Sequence, residues 1–230
     1  TEREMNPILS KVAAIFPSGD ANLDHELIRL IAMTTPFNRD LVGRLLSGIT
    51  DNTLPSDDIH RLAAISQFQI ERSYEESVAT AKALLGIDVK IRKLGLRQDN
   101  RWDDRIGELY KALCKVDPAM PSLLPDQPGF GEPGHVLFLT QVPQEFISKA
   151  IDGIVNTIQS DPDYKWSSDV VFTIGESSKP EQMALLRDQL NNLSVRDAVL
   201  ITIAEHTTKQ DRELLLSGLE SSQLNAGDAG

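Results

Sequence analysis

The stretch FPSGDANLDHELIRLIAM, residues 16–33, carries the pattern that decides the fold. Its apolar residues recur at i, i+4, i+7 and i+8, at Leu23, Leu27, Leu30 and Ile31. This spacing places them on one face of an α-helix. Asn22 is the predicted N-cap. Asp24 and Glu26 then fall in the first turn, where the positive end of the helix dipole favours carboxylates.

The same pattern recurs along the chain and predicts helix after helix. The predicted N-caps are Asn38, Ser56, Ser73 in a capping box with Glu76, and Ser167 or Ser168. Gly86 is the predicted end of the helix that Ser73 opens. The last three predicted helices are KPEQMALLRDQLN, LSVRDAVLITIAEH and KQDRELLLSGLES.

The segment HVLFLTQV, residues 135–142, is short and apolar and is the one stretch that resembles a strand. Because no other segment offers it a partner strand, we interpret it as a buried helix or a short extended piece. The fold class expected from the whole pattern is all-α.

Helix starts near residues 23, 37, 56 and 73 give helix pairs that repeat about every 35 residues, close to the short end of the HEAT and TPR range. We therefore expect an irregular α-solenoid, a HEAT-like array of about 10 to 12 helices in antiparallel pairs, rather than a compact bundle. The repeats follow no strict consensus.

The expected organisation is a single helical-repeat domain over residues 1–230. Residues 117–134 interrupt the helical pattern with five prolines and three glycines, a density that no helix interior tolerates. This segment is predicted to be a long loop or linker, and it separates the two candidate halves, residues 1–116 and 135–223. The opening Thr-Glu-Arg leads us to expect a segment of a larger protein.

Composition excludes two classes of partner. The chain has 230 residues and a formal net charge of −11, which argues against nucleic acid as a main partner. It contains no run of about 18 apolar residues, so membrane insertion is not expected. One local basic run, at Lys90, Arg92, Lys93, Arg97, Arg101 and Arg105, is interpreted as a solvated helix face, with a docking patch for an acidic partner as the alternative.

The sequence offers little material for catalysis. The single cysteine, Cys114, is interpreted as a buried structural thiol. The four histidines, His25, His60, His135 and His206, show no metal-ligand spacing and are interpreted as helix-terminus or surface residues. Asp24 and His25 are adjacent, so they point about 100° apart on a helix and do not converge on one ion. We expect no catalytic, cofactor or metal site.

Three groups of segments resemble a known helical region. They are FPSGDANLDHELIRLIAM, then FGEPGHVLFLTQVPQEFISKAIDGI followed by KWSSDVVFTIGES, and VRDAVLITIAEHTTKQDRELLLSGLESSQ. Together they are similar to the HEAT-like repeats of large bacterial multidomain proteins that also carry a c-type haem domain. The haem motif C-x-x-C-H is absent here, so no catalytic residue is carried over. The resemblance implies a scaffold segment exported to the periplasm.

Two functions are therefore expected as alternatives. The first is a non-catalytic helical-repeat scaffold that positions neighbouring domains or binds a protein partner. The second is a metal-dependent or haem-assisted enzyme module that uses Asp20, Asp24, His25 or His60.

Overall fold

A computed structural model describes residues 11–35, 38–177, 179–207, 211, 212 and 216. The described residues contain helices and no strand, so the predicted all-α class is confirmed. The α-helices are α1 (residues 11–15), α2 (Ala21–Thr34), α3 (Leu41–Ser47), α4 (Pro55–Ile65), α5 (Tyr74–Leu94), α6 (Trp102–Val116), α7 (Met120–Leu123), α8 (Gln144–Ser160), α9 (Ser168–Gly175), α10 (Pro180–Arg187) and α11 (Arg196–Glu205). Short 3-10 helices span Leu124–Asp126, Pro133–Gln141 and Asp188–Asn191.

The chain divides into two compact units, Thr1–Ala150 and Ile151–Gly230. In the first unit α2 packs on α4, α4 packs on α5, and α3 contacts both α4 and α5. In the second unit α9 packs on α10 and α11. None of the described helices combines the length and the apolarity needed to cross a membrane.

Residues 117–134 lie inside the first unit and include α7 and the 3-10 helix that follows it. Pro121 is accommodated in the first turn of α7, where a missing N–H costs little. Met120 and Leu124 are completely buried, and α7 packs against α5. This proline-rich segment is therefore part of the core, and the two units divide elsewhere, within α8.

The start of α2 differs from the prediction. Asp20, and not Asn22, is the N-cap, and its Oδ1 accepts the N–H of Leu23 at 2.9 Å. The face turned inward carries Leu27, Ile28 and Ile31, whereas Leu23 and Leu30 are 47% and 39% exposed. The buried face of α2 therefore differs from the predicted one, because it includes Ile28 and leaves out Leu23 and Leu30.

The other predicted caps have mixed outcomes. The capping box of Ser73 with Glu76 is confirmed, as is Ser167 before α9. Ser56 is not a cap, because Pro55 already occupies the first turn of α4. The Asn38 side chain accepts the N–H of Asp40 at 3.0 Å in the turn before α3, and Asp40 is the residue at the N-cap.

Three further predictions concern Gly86, residues 135–142 and residues 209–221. Gly86 does not end α5, which continues for about two more turns to Leu94, with Ile87, Lys90 and Ile91 buried and Gly95 as a C-cap with φ of 61°. Residues 135–141 form most of a 3-10 helix in which His135 and Phe138 are buried, so of the two alternatives the structure has the helix and not the extended piece. Most of the helix predicted at residues 209–221 lies outside the described residues.

Candidate functional site

The carboxylates proposed as metal ligands support the start of α2. Asp20 is the N-cap, and Asp24 is 9% exposed. Asp24 Oδ1 accepts the Ser18 N–H at 2.6 Å and the Ser18 hydroxyl at 2.8 Å. Both side chains therefore hold the turn in front of the helix.

The structure brings together two histidines that the sequence interpretation kept apart. The rings of His25 on α2 and His60 on α4 stack with their centroids 4.0 Å apart and their planes within 8°. His60 Nε2 lies 3.1 Å from the backbone oxygen of His25. Burial lowers the pKa of His60, and this effect outweighs the hydrogen bond to the His25 backbone oxygen, which raises it.

Parallel stacking does not make a metal site. The lone pair of an imidazole lies in the plane of its ring, so two parallel rings do not direct their nitrogens at one ion. Within the part of the chain that the structure describes, no group of three or more His, Cys, Asp or Glu side chains could hold a metal ion.

A buried ion pair joins α4 and α5. Asp58 is fully buried and its Oδ2 pairs with Lys90 Nζ. Lys90 also donates to the Thr50 backbone oxygen at 2.6 Å and to Thr53 Oγ1 at 2.9 Å, while the Thr53 hydroxyl donates to Asp58 Oδ1 at 2.6 Å. Each charged group is thus satisfied by several partners, which a buried ion pair requires.

This pair corrects the interpretation of the basic run as a solvated face. Lys90 faces the core because it lies on the same stripe of α5 as the buried residues Ile87 and Ile91. The more exposed members of the run pair with acids, Arg92 with Glu132 and Arg105 with Asp99.

His135 lies in the first turn of the 3-10 helix Pro133–Gln141, as a helix-terminus residue, but it is fully buried and is not a surface residue. Its Nδ1 accepts the N–H groups of Gly131 and Glu132 at 3.1 and 3.2 Å. Its Nε2 lies 3.1 Å from the Leu85 backbone oxygen. These contacts place the proton on Nε2. The neutral ring then accepts hydrogen bonds at Nδ1 and donates one from Nε2. Burial lowers the pKa of His135 to about 4.

Asp88 lies near the same 3-10 helix. Burial, together with the charges of Glu132 and Asp103, raises the pKa of Asp88 to about 6. Gln98 Nε2 is 3.3 Å from its Oδ1. A Cβ on Gly134 would overlap the Asp88 carboxylate, so a larger residue at that position requires the Asp88 side chain to move.

Cys114 is not poised as a nucleophile. The residue is partly buried, and burial raises the pKa of its thiol to about 11. The thiol is therefore protonated at neutral pH, and the reactive thiolate form is scarce. This supports the interpretation of Cys114 as a structural residue.

The first unit contains a cleft that the sequence did not predict. It lies between the start of α5 and the end of α6 and has a volume of about 370 Å³. We call it the Asp117 cleft; its lining residues are Glu71, Arg72, Tyr74, Ser77, Val116, Asp117, Pro118, Ala119 and Leu123. Tyr74 is 68% exposed at its rim, whereas Ser77 and Asp117 are buried.

Asp117 is unusual among the buried acids. It is 5% exposed, and its Oδ2 has no hydrogen-bond partner in the described part of the chain. Arg72 lines the same cleft, but its guanidinium donates to three backbone oxygens, those of Ile65, Phe68 and Ile70, at 2.8 to 3.0 Å. Burial lowers the pKa of Arg72, although the charges of Glu76 and Asp117 act in the opposite direction.

A second cleft of about 310 Å³ lies between α6 and the 3-10 helix at Pro133–Gln141. Charged side chains, among them Arg101, Asp104 and Lys111, dominate its lining. Arg101 and Asp104 are 4.0 Å apart at their closest atoms and both are largely exposed. Such a pair is well solvated and contributes little to stability.

Comparison with known proteins assigns no family to this arrangement. No family model matches the chain, and neither the curated proteins nor the solved structures include a significant match. The interpretation of the cleft and of the buried polar groups therefore depends on their geometry.

Proposed function

We propose that this protein is a non-catalytic helical scaffold that binds a protein partner, or a neighbouring domain of a larger chain, at the Asp117 cleft. The observation that carries the proposal is the contrast between this cleft and the buried polar groups around it. Lys90, Asp58 and His135 are satisfied by contacts within the first unit. The cleft instead combines an exposed aromatic rim with a buried carboxylate oxygen that has no described partner.

The proposal includes an irregular HEAT-like arrangement of helix pairs. The sequential contacts of α2 with α4 and of α4 with α5 in the first unit support it. So does the resemblance to the helical region of multidomain bacterial proteins, which is also the support for a periplasmic segment of a larger protein. Helical arrays of this kind bind partners through surfaces between successive helices.

Site-specific photo-crosslinking tests the proposal. A benzophenone amino acid is placed at Tyr74, and a matched control places it at Leu94, which is 50% exposed at the other end of α5. We expect a discrete protein from extracts of the source organism to be captured at Tyr74 and not at Leu94. Equal capture at both positions, or capture at neither, would contradict a partner site at the cleft.

The alternative function is a metal-dependent or haem-assisted enzyme module using Asp20, Asp24, His25 or His60. The proximity of His25 and His60 is the observation in its favour. Against it, the two rings are parallel and Asp24 is committed to Ser18. Metal analysis of gently purified protein distinguishes the two functions, because a stoichiometric transition metal lost in a His60→Ala variant would support the alternative.

A further inference from the structure

The inner wall of the Asp117 cleft is electronegative. Asp117 directly follows α6, so its side chain lies beside the last carbonyl groups of a 15-residue helix. These groups carry the negative end of the helix dipole. The Asp117 backbone N–H bonds the Leu113 oxygen, but the carboxylate Oδ2 has no partner among the described residues. A hydrogen-bond donor with a positive charge is the group that such a wall favours.

The positive charge of Arg72 reduces the negative potential of the cleft but does not cancel it. Two carboxylates, those of Glu71 and Asp117, and one guanidinium line the cleft. The three described N–H contacts of Arg72 go to backbone oxygens that lie before α5, so these donors are committed to the chain. The lining therefore has an excess of one negative charge, with one carboxylate oxygen still unpaired.

The rest of the lining is apolar and suits a narrow aliphatic chain. Val116, Pro118, Ala119 and Leu123 provide its walls, and the exposed Tyr74 ring stands at the rim. A lysine side chain combines an aliphatic stem with a terminal ammonium group. Its stem matches these walls, its ammonium group matches the negative charge of the Asp117 carboxylate, and an aromatic ring near a cation adds a further attraction.

We propose that the Asp117 cleft binds a lysine side chain presented by a protein partner. The ammonium group lies against the part of the Asp117 carboxylate that borders the cleft at the end of α6, and the stem lies between Tyr74 and the apolar walls. This inference rests on the proposed function, since it specifies the chemistry of the partner that the scaffold binds. The net charge of −11 also favours association with a basic partner surface.

The test is an NMR titration of the whole chain with Nα-acetyl-lysine methylamide, with the norleucine analogue as the uncharged control. We expect the lysine probe to give saturable shifts at residues 71–77 and 116–123 with a dissociation constant in the millimolar range. The norleucine probe should bind at least tenfold more weakly, because it lacks the charged donor. Equal binding of the two probes, or shifts centred elsewhere, would overturn the inference.

Variants make the test specific to one carboxylate. Asp117→Asn should weaken the lysine probe about tenfold, because the amide loses the charge of the acceptor. Asp104→Asn, in the second cleft, is the matched control and should leave the affinity unchanged. An Asp117→Asn variant that keeps the native spectrum and binds the probe as tightly as the unmodified chain would refute the assignment.

The titration and the crosslinking experiment fail independently. Capture of a partner at Tyr74 without binding of the lysine probe would overturn the inference about lysine and leave the scaffold proposal standing. Binding of the probe without site-specific capture would show that the cleft recognises a lysine side chain, but it would contradict the proposed scaffold function and the presentation of that lysine by a protein partner.

Discussion

Two aspartates of the first unit, Asp58 and Asp117, are buried to a similar degree but have opposite surroundings. Asp58 pairs with Lys90 and accepts the Thr53 hydroxyl, so both of its oxygens are satisfied. Asp117 Oδ2 has no such partner in the described residues, although a cleft opens beside it. A buried carboxylate with partners holds helices together, whereas one that lacks them next to a cleft is the observation on which the proposed partner site rests.

The largest effect on stability is expected when Lys90, the partner of Asp58, is removed. Lys90→Ala should lower the free energy of unfolding by about 3 to 5 kcal/mol, because Asp58 would be left as an uncompensated buried charge. Urea denaturation at pH 7 measures the loss. Lys90→Met combined with Asp58→Leu is the control, and it should recover most of the stability because it removes both charges. A loss of stability below about 1 kcal/mol in the single variant would show that the pair contributes no more than an exposed salt bridge does.

His135 represents a third way to bury a titratable group, which is to keep it neutral. Its pKa is about 4 in the folded chain and about 6.5 when unfolded. On acidification the unfolded state takes up the proton first, so the contribution of His135 to stability is present above pH 6.5 and is lost as the pH falls to 4. The loss should be about 3 kcal/mol.

The measurement is the difference in unfolding free energy between the unmodified chain and His135→Gln, followed from pH 7 to pH 4. Groups common to both proteins cancel in this difference, so the ionisation of His135 remains. A difference that does not change with pH would show that the ring is not held neutral by burial.

Asp88 should change the free energy of unfolding with pH in the opposite direction to His135. The pKa of Asp88 is about 6 in the folded chain and about 3.9 in the unfolded chain. The contribution of Asp88 to the stability of the fold is therefore present below pH 4 and is lost as the pH rises through 6. Asp88→Asn should therefore stabilise the protein by about 2 kcal/mol at pH 7 and by almost nothing at pH 4. Thermal denaturation at the two pH values measures the gain. An equal effect at both would mean that the change acts through packing.

The smallest effect on stability is expected at Asp117 itself. Asp117→Asn keeps the shape of the side chain, and the loss of attraction to Arg72 offsets the relief of an unpaired charge. We expect a change within about 1 kcal/mol of the unmodified chain, measured by urea denaturation beside Asp58→Asn. A loss as large as that of Asp58→Asn would show that Asp117 also holds the fold, and the comparison would fail.

Periodicity and cap chemistry predicted the helical class and several helix boundaries. The capping box at Ser73 was read correctly, because a cap depends on residues close in sequence. The predicted start of α2 is wrong, because Asp20 and Asn22 are both good cap residues and only the structure shows that Asp20 accepts the Leu23 N–H. Gly86 was misread as a stop, since glycine is tolerated inside a helix whose buried face continues.

The sequence predicts less of the candidate site than of the fold. Lys90 and Asp58 are 32 positions apart, and His135 and Leu85 are 50 apart, so only the packing of helices brings them together. Asp117 did have a local signal, since Asp-Pro ends α6. That signal predicts a helix boundary and says nothing about whether the carboxylate finds a partner.

Hydrogen-exchange mass spectrometry of the complex with the partner captured at Tyr74 tests the central claim most directly. The account predicts slower exchange at residues 71–77 and 116–123, with no change at residues 85–92 and 131–135, where Lys90 and His135 hold the fold. Protection centred on those internal groups, or absent from both walls of the Asp117 cleft, would contradict it.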